Sequence, residues 1–146
     1  MMKDNKAIIV TVVQYVTLGM MLYANIWIAD NPILMFIQFF GLFIAIWAIL
    51  EMAKSKLNIS PVPRSGSVLI QSGPYKIIRH PMYLSLLLTI TPMIIDSLST
   101  FNIIIFSIFI INMLIKMLYE ERLLQNHFED YAIYSEKSWR LFPFIY

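Results

Sequence analysis

Residues 101–121, "FNIIIFSIFIINMLIKMLYEE", decide how this chain is read. From Phe101 to Tyr119 the run is almost wholly apolar, with Asn112 and Lys116 set inside it. Its length approaches the roughly 20 residues that a helix needs to cross a bilayer. It then ends abruptly on two acids, Glu120 and Glu121. Three further apolar stretches lie upstream. The first covers about 7–29 and is broken by Gln14, Asn25 and threonines; the second covers 32–50 and contains Gln38; the third covers 81–95. The first, second and fourth are long enough to span. The third is short, so it starts before Pro81, tilts, or stops below the far interface. Pro81 suits a first helical turn, where its missing N–H costs nothing. Pro92 is expected to kink or end the helix.

Composition supports lipid as the solvent. Hydrophobic residues make up 59% of the 146 positions and charged residues 14%, against about half and about a quarter in an ordinary soluble domain. That much apolar surface cannot all fold inward. The first stretch follows Lys3 and Lys6, as a signal peptide would, but it is too long for a signal core and has no small-residue cleavage pattern. It reads as a retained helix. The absence of cysteine excludes disulfides, thiolate metal sites and a cysteine nucleophile. Two histidines are too few for a histidine metal cage, and no metal is expected. The four glycines never take a phosphate-loop spacing. Nothing in the chain suggests a nucleic-acid partner.

The connections divide by charge. Asp30-Asn31 and residues 96–100 form short turns without Lys or Arg. All eleven basic residues lie elsewhere: Lys3 and Lys6; Lys54, Lys56, Arg64, Lys76 and Arg79; Lys116, Arg122, Lys137 and Arg140. Four crossings put these segments on one side, and the positive-inside rule makes that side, with both termini, cytoplasmic. The expected architecture is all-α: one membrane domain over 1–146 with four transmembrane helices (about 7–29, 32–50, 81–95 and 101–119), a cytoplasmic loop at 51–80 and a cytoplasmic tail at 120–146. Pro61, Pro63, Gly66, Gly73 and Pro74 mark the loop as irregular. Leu123, Leu124, Phe128, Tyr131 and Tyr134 fall near helical spacing, so the last helix continues or meets an amphipathic one. Trp139, Phe142 and Phe144 suit the headgroup level.

Several residues admit two readings. Glu120 and Glu121 form either a solvated stop or a carboxylate site for a cation, with Lys116 one turn away as a local ion-pair partner. Arg79 serves a site or binds lipid phosphate. His80 at a membrane edge is an interfacial hydrogen-bonding residue or part of a site with Tyr83. Gln14, Gln38 and Asn112 suit interhelical hydrogen bonds, and the ten methionines suit packing.

Two segments shift these readings. "SGPYKIIRHPMYLS" (72–85) and "EERLLQNHFEDYAIY" (120–134), separated by a membrane hairpin, resemble the isoprenylcysteine carboxyl methyltransferases and the related phospholipid methyltransferases. The resemblance covers roughly 61–143. It implies S-adenosyl-L-methionine as methyl donor, a cofactor pocket formed by the loop and tail, and a lipophilic or lipid-modified acceptor drawn from the membrane. It assigns the donor to Leu69, Ile70, Tyr75, His80, Pro81, Met82, Tyr83, Glu120 and Glu121, and the acceptor to Lys116 and Arg79. No residue is singled out as catalytic. An isoprenylcysteine-like carboxyl is the favoured acceptor; a phospholipid amine and a thiol remain open. So do an NADPH-dependent sterol-type reductase, whose relatives carry a similar Arg-His-Pro-x-Tyr stretch, and a non-catalytic scaffold. The chain departs from the pattern at Ser85, where relatives carry glycine, at Phe128-Glu129, where a Phe-Gly is shortened, and at Lys116, where they carry arginine. Lysine keeps the charge but loses the bidentate fork. The small size points to a bacterial or archaeal inner membrane.

Overall fold

Four long helices, alternating in direction, form the body of the protein. The computed structural model describes residues 2–25, 27–54 and 68–145, with side chains from Lys6 onward. The helices are α1 (Met2–Ala24), α2 (Pro32–Met52), α3 (Pro81–Asp96), α4 (Thr100–His127) and a short α5 (Tyr131–Glu136), with a 3-10 turn at Gly73–Lys76. The fold is all-helical, with no strand among the described residues. Three helices, α1, α2 and α4, are long and apolar enough to cross a membrane; α3, at 16 residues, is shorter. The expected loop residues Lys56, Pro61, Pro63, Arg64 and Gly66 lie outside the described residues.

Several boundaries differ from the sequence reading. The first helix ends at Ala24, five residues early, because side chains take over its last carbonyls. Asn25 Nδ2 donates to Met21 O (2.8 Å), and the Trp27 indole donates to Leu22 O (2.9 Å). Gln38 ties the turn down, accepting from Ala29 N (3.1 Å) and donating to Trp27 O (2.6 Å). Gln38 therefore holds a turn rather than a neighbouring helix. Asn31 then caps α2, accepting from Ile33 N at 2.9 Å, with Pro32 at the first helical position. The third helix starts at Pro81 and runs through Pro92 to Asp96, so Pro92 does not end it. The fourth continues eight residues past Tyr119 to His127, which makes the first turns of the expected tail part of the same helix.

Packing joins α2 to α3 and α1 to α4. In lipid there is little hydrophobic drive between helices, so close approach and polar contacts decide association. Gly41 provides the close approach: a Cβ there would stand 2.7 Å from Thr89 Oγ1 and 2.9 Å from Thr89 N. Asn112 Nδ2 crosses from α4 to Val10 O of α1 (2.8 Å), as its place in an apolar helix predicts. Met21, Phe109, Met113 and Met117 are buried in the core between them, so these methionines do pack. The outer faces carry large exposed apolar side chains such as Phe36, Phe39, Phe43 and Ile104, as a lipid-facing surface requires.

Candidate active site

The site lies where the start of α3, the latter half of α4 and the C-terminal tail converge. Backbone bonds set the frame. Arg79 N donates to Trp139 O (2.7 Å), His80 N to Arg140 O (3.1 Å) and Trp139 N to Ile77 O (2.9 Å), so residues 77–80 pair with the tail through a parallel bridge. Tyr134 on α5 donates its hydroxyl to Tyr75 O (2.7 Å). Burial pushes the Tyr134 phenol up to about 12, so it remains a donor at neutral pH. Gly73 adopts φ +57°, and a Cβ there would collide with the buried Glu51 side chain at the end of α2. Only glycine fits both conditions.

Charge locks this frame. Glu121 accepts from Arg79 Nε at Oε1 (3.0 Å) and meets Arg140 Nε at Oε2 (3.0 Å). His80 Nε2 stands 3.4 Å from the same Oε1. Arg79 Nη1 also donates to Ser135 O (2.6 Å) and to Ser138 O. Arg79 and Glu121 are both largely buried, so each needs the other to offset its lost hydration. The cluster fastens α3, α4 and the tail together.

Above it opens a cavity of about 580 Å³, within the range of small-molecule sites. Eight of the nine residues assigned to the donor line it: Leu69, Ile70, Tyr75, His80, Pro81, Met82, Tyr83 and Glu120. Lys116 and Arg79 line it too. Glu121 does not. Successive helical residues point about 100° apart, so Glu120 faces the cavity while Glu121 turns to the arginines. His80 accordingly shares the cavity with Glu120 but makes its carboxylate contact with Glu121. Arg79 reaches the wall with its Nε and Nη1 held by Glu121, Ser135 and Ser138, so these two nitrogens tie the elements together.

Inside the cavity, Tyr83 presents its hydroxyl to the Glu120 carboxylate and its ring 5.4 Å from that of His80. Lys116 Nζ lies 3.8 Å from Glu120 Oε1, the expected one-turn pair, and 5.6 Å from the Tyr83 ring centroid. Ser85 is buried, with its hydroxyl turned back to Met82 O (2.7 Å), so it presents no free hydroxyl proton to the cavity. Two wall residues, Tyr75 and Tyr131, are buried with hydroxyls that lack any hydrogen-bond partner. Burial pushes both phenols well above their usual range. A buried polar group without a partner is expensive, and two such hydroxyls belong to residues of the cavity wall.

Sequence reasoning missed part of the wall. Tyr15 and Leu18 of α1 and Ala45, Ile49 and Met52 of α2 belong to it but look like ordinary membrane-helix residues. Gln14 carried a signal, an amide in an apolar helix. It reaches Lys116 Nζ with its Oε1 at 2.8 Å. Among the described residues, no group of three or more His, Cys, Asp or Glu side chains could hold a metal.

A helical bundle with large apolar side chains on its outer faces, three helices long enough to span a bilayer and one end enclosing a cavity with an acid and aromatic side chains in its wall is a membrane protein. The phospholipid methyltransferase family model matches residues 32–131, and the chain belongs to that family, which makes it a membrane methyltransferase. No curated protein matches the chain. The match begins at Pro32 rather than near residue 61, so α2 belongs to the family region; α1 and the tail beyond Tyr131 lie outside it.

Proposed function

We propose that the protein transfers a methyl group from S-adenosyl-L-methionine to a lipophilic acceptor, with an isoprenylcysteine-like carboxyl as the favoured class. One observation carries this reading: an acid and an aromatic face line a single cavity bordered by membrane helices, and two residues of its wall carry buried hydroxyls without a partner. The donor's groups fit these residues. Glu120 suits its ammonium, and the Tyr83 ring offers a negative face to a sulfonium, worth about 0.5–2 kcal/mol. The Tyr75 and Tyr131 hydroxyls suit its polar oxygens and nitrogens. When bound, the donor supplies a sulfonium-activated methyl, and a carboxylate oxygen that receives it needs no general base. The chain's own task is then alignment and exclusion of water.

Lys116 favours an anionic acceptor, because its ammonium repels a second cation. A phospholipid amine is the alternative, favoured by the family match, and it must lose a proton before it attacks. The same match supports methyl transfer over hydride transfer from NADPH and over a scaffold without activity. We place the site end of the bundle and both termini in the cytoplasm, because the basic residues gather there.

Calorimetric titration of S-adenosylmethionine and S-adenosylhomocysteine into detergent-purified protein tests the donor. Glu120→Gln is expected to weaken binding at least tenfold, as loss of a charge-assisted bond implies, and His80→Ala to weaken it less. Wild-type binding in both variants would remove the site assignment; no binding to folded wild type would remove the function. Comparing lipid extracts from cells with and without the gene then identifies the acceptor as the species that differs by one methyl.

A further inference from the structure

Lys116 stands where the proposed donor needs to put its own positive charge. Its ammonium is buried, 3.8 Å from Glu120 Oε1 and 5.6 Å from the Tyr83 ring centroid. Those are the carboxylate and the aromatic face assigned above to the donor's cations. One carboxylate and one ring cannot serve two cations at full strength in apolar surroundings, where like charges repel strongly. The third partner of Lys116 differs in kind. Gln14 Oε1, at 2.8 Å the nearest of the three, is neutral and buried. It comes from α1, outside the family match.

We propose that Lys116 is a stand-in cation: it fills the donor's charge site while that site is free, yields Glu120 and the Tyr83 face when the donor binds, and stays tethered to Gln14. The inference rests on the proposed donor and deepens it, because it sets an order of binding. Before the donor arrives, Glu120 offsets the Lys116 charge, and an anionic acceptor meets a neutral pair. Once the donor's ammonium takes Glu120, the Lys116 charge is left for the acceptor's carboxylate. Donor and anionic acceptor therefore strengthen each other's binding, and the coupling runs equally in both directions. Gln14 is the positioning residue, since an uncharged acceptor can hold the ammonium in either state without competing for it.

The test is calorimetry on the full chain in detergent, with unfolding curves to confirm that each variant is folded. Lys116→Met keeps the stem length and removes the charge. It is expected to bind S-adenosylhomocysteine about five- to tenfold more tightly than wild type, the usual scale of such coupling, and to gain more with S-adenosylmethionine, whose sulfonium adds a second positive charge. Lys116→Arg keeps the competition and binds as wild type does. Gln14→Leu removes the tether and weakens donor binding about threefold, the scale of one interhelical side-chain bond in a membrane protein; adding Lys116→Met abolishes that loss. In wild type, N-acetyl-S-farnesylcysteine binds more tightly with S-adenosylhomocysteine present than without it, and Lys116→Met erases the difference. Unchanged or weaker donor binding in Lys116→Met, or an acceptor indifferent to the donor, overturns the proposal while leaving the donor assignment standing. Failure of wild type to bind either donor compound overturns both.

Discussion

The two ends of the bundle bury polar groups for opposite purposes. At the end that joins α1 to α2 and α3 to α4, neutral amides and backbone close on one another. Asn25 and Asn102 exchange side-chain bonds (Nδ2 to Oδ1 at 3.3 Å and 2.5 Å), and Asn102 also donates to Ser97 O. At the site end, ions do the fastening, through Glu121 and the two arginines. Beside that cluster, Glu120 meets Tyr83 and, at 3.8 Å, Lys116, while the hydroxyls of Tyr75 and Tyr131 have no hydrogen-bond partner. Under the proposed function, the contrast separates polar groups that hold helices together from polar groups reserved for a ligand.

The ion cluster is the place to break that contrast most severely. Glu121→Leu leaves Arg79 buried beside no carboxylate, and removing one member of a buried pair costs about 3–5 kcal/mol. Thermal unfolding in micelles should show a large drop for Glu121→Leu and for Arg79→Leu alone, and a smaller one for the two together, because the double variant leaves neither member of the buried Arg79–Glu121 pair alone and Arg140, the other partner of Glu121, is partly exposed to water. A double variant as unstable as the sum would mean that the cluster is not a mutual pair. Gly41→Leu comes next, at about 1–3 kcal/mol for overpacking. It pushes α2 from α3 against backbone and moves the Ala45 and Ile49 wall, so donor affinity should fall with stability. At the far end, Asn102→Leu is expected to cost about 0.6–1.7 kcal/mol, the scale of interhelical side-chain bonds in membrane proteins, with donor affinity unchanged within about twofold. A lost donor site in that variant would show that the two ends are not independent.

How much of this was legible in the sequence depends on the range of the interaction. The all-helical body followed from hydropathy, which acts over whole segments. His80, Tyr83 and Glu120 followed from local motifs, and one cavity holds all three. Glu121 did not, because adjacent acids look alike in a string while a helix turns them about 100° apart. The end of α1 was misplaced because hydropathy cannot register that Asn25 and Trp27 bond to the carbonyls of Met21 and Leu22. The bridge from Ile78 to Trp139 joins segments with a full membrane hairpin between them, and no local pattern announces it. Gln14 was visible as a polar residue in an apolar helix, but its partner required α1 and α4 to be packed side by side.

Tyr131→Phe carries the smallest expected effect and makes the sharpest distinction. The Tyr131 hydroxyl is buried without a partner, so removing it takes away no bond within the protein and relieves a desolvation cost. Stability should hold or rise slightly. If the hydroxyl is reserved for the donor, affinity should fall by about 1 kcal/mol, the net worth of one neutral hydrogen bond, or about fivefold. Tyr75→Phe should behave alike. Tyr134→Phe supplies the control, since its hydroxyl is already bonded to Tyr75 O; that change should lower stability. Loss of stability in Tyr131→Phe with no loss of affinity would mean that its hydroxyl belongs with the fastening groups, and the division between the two kinds of buried polar group would fail at the residue that most needs it.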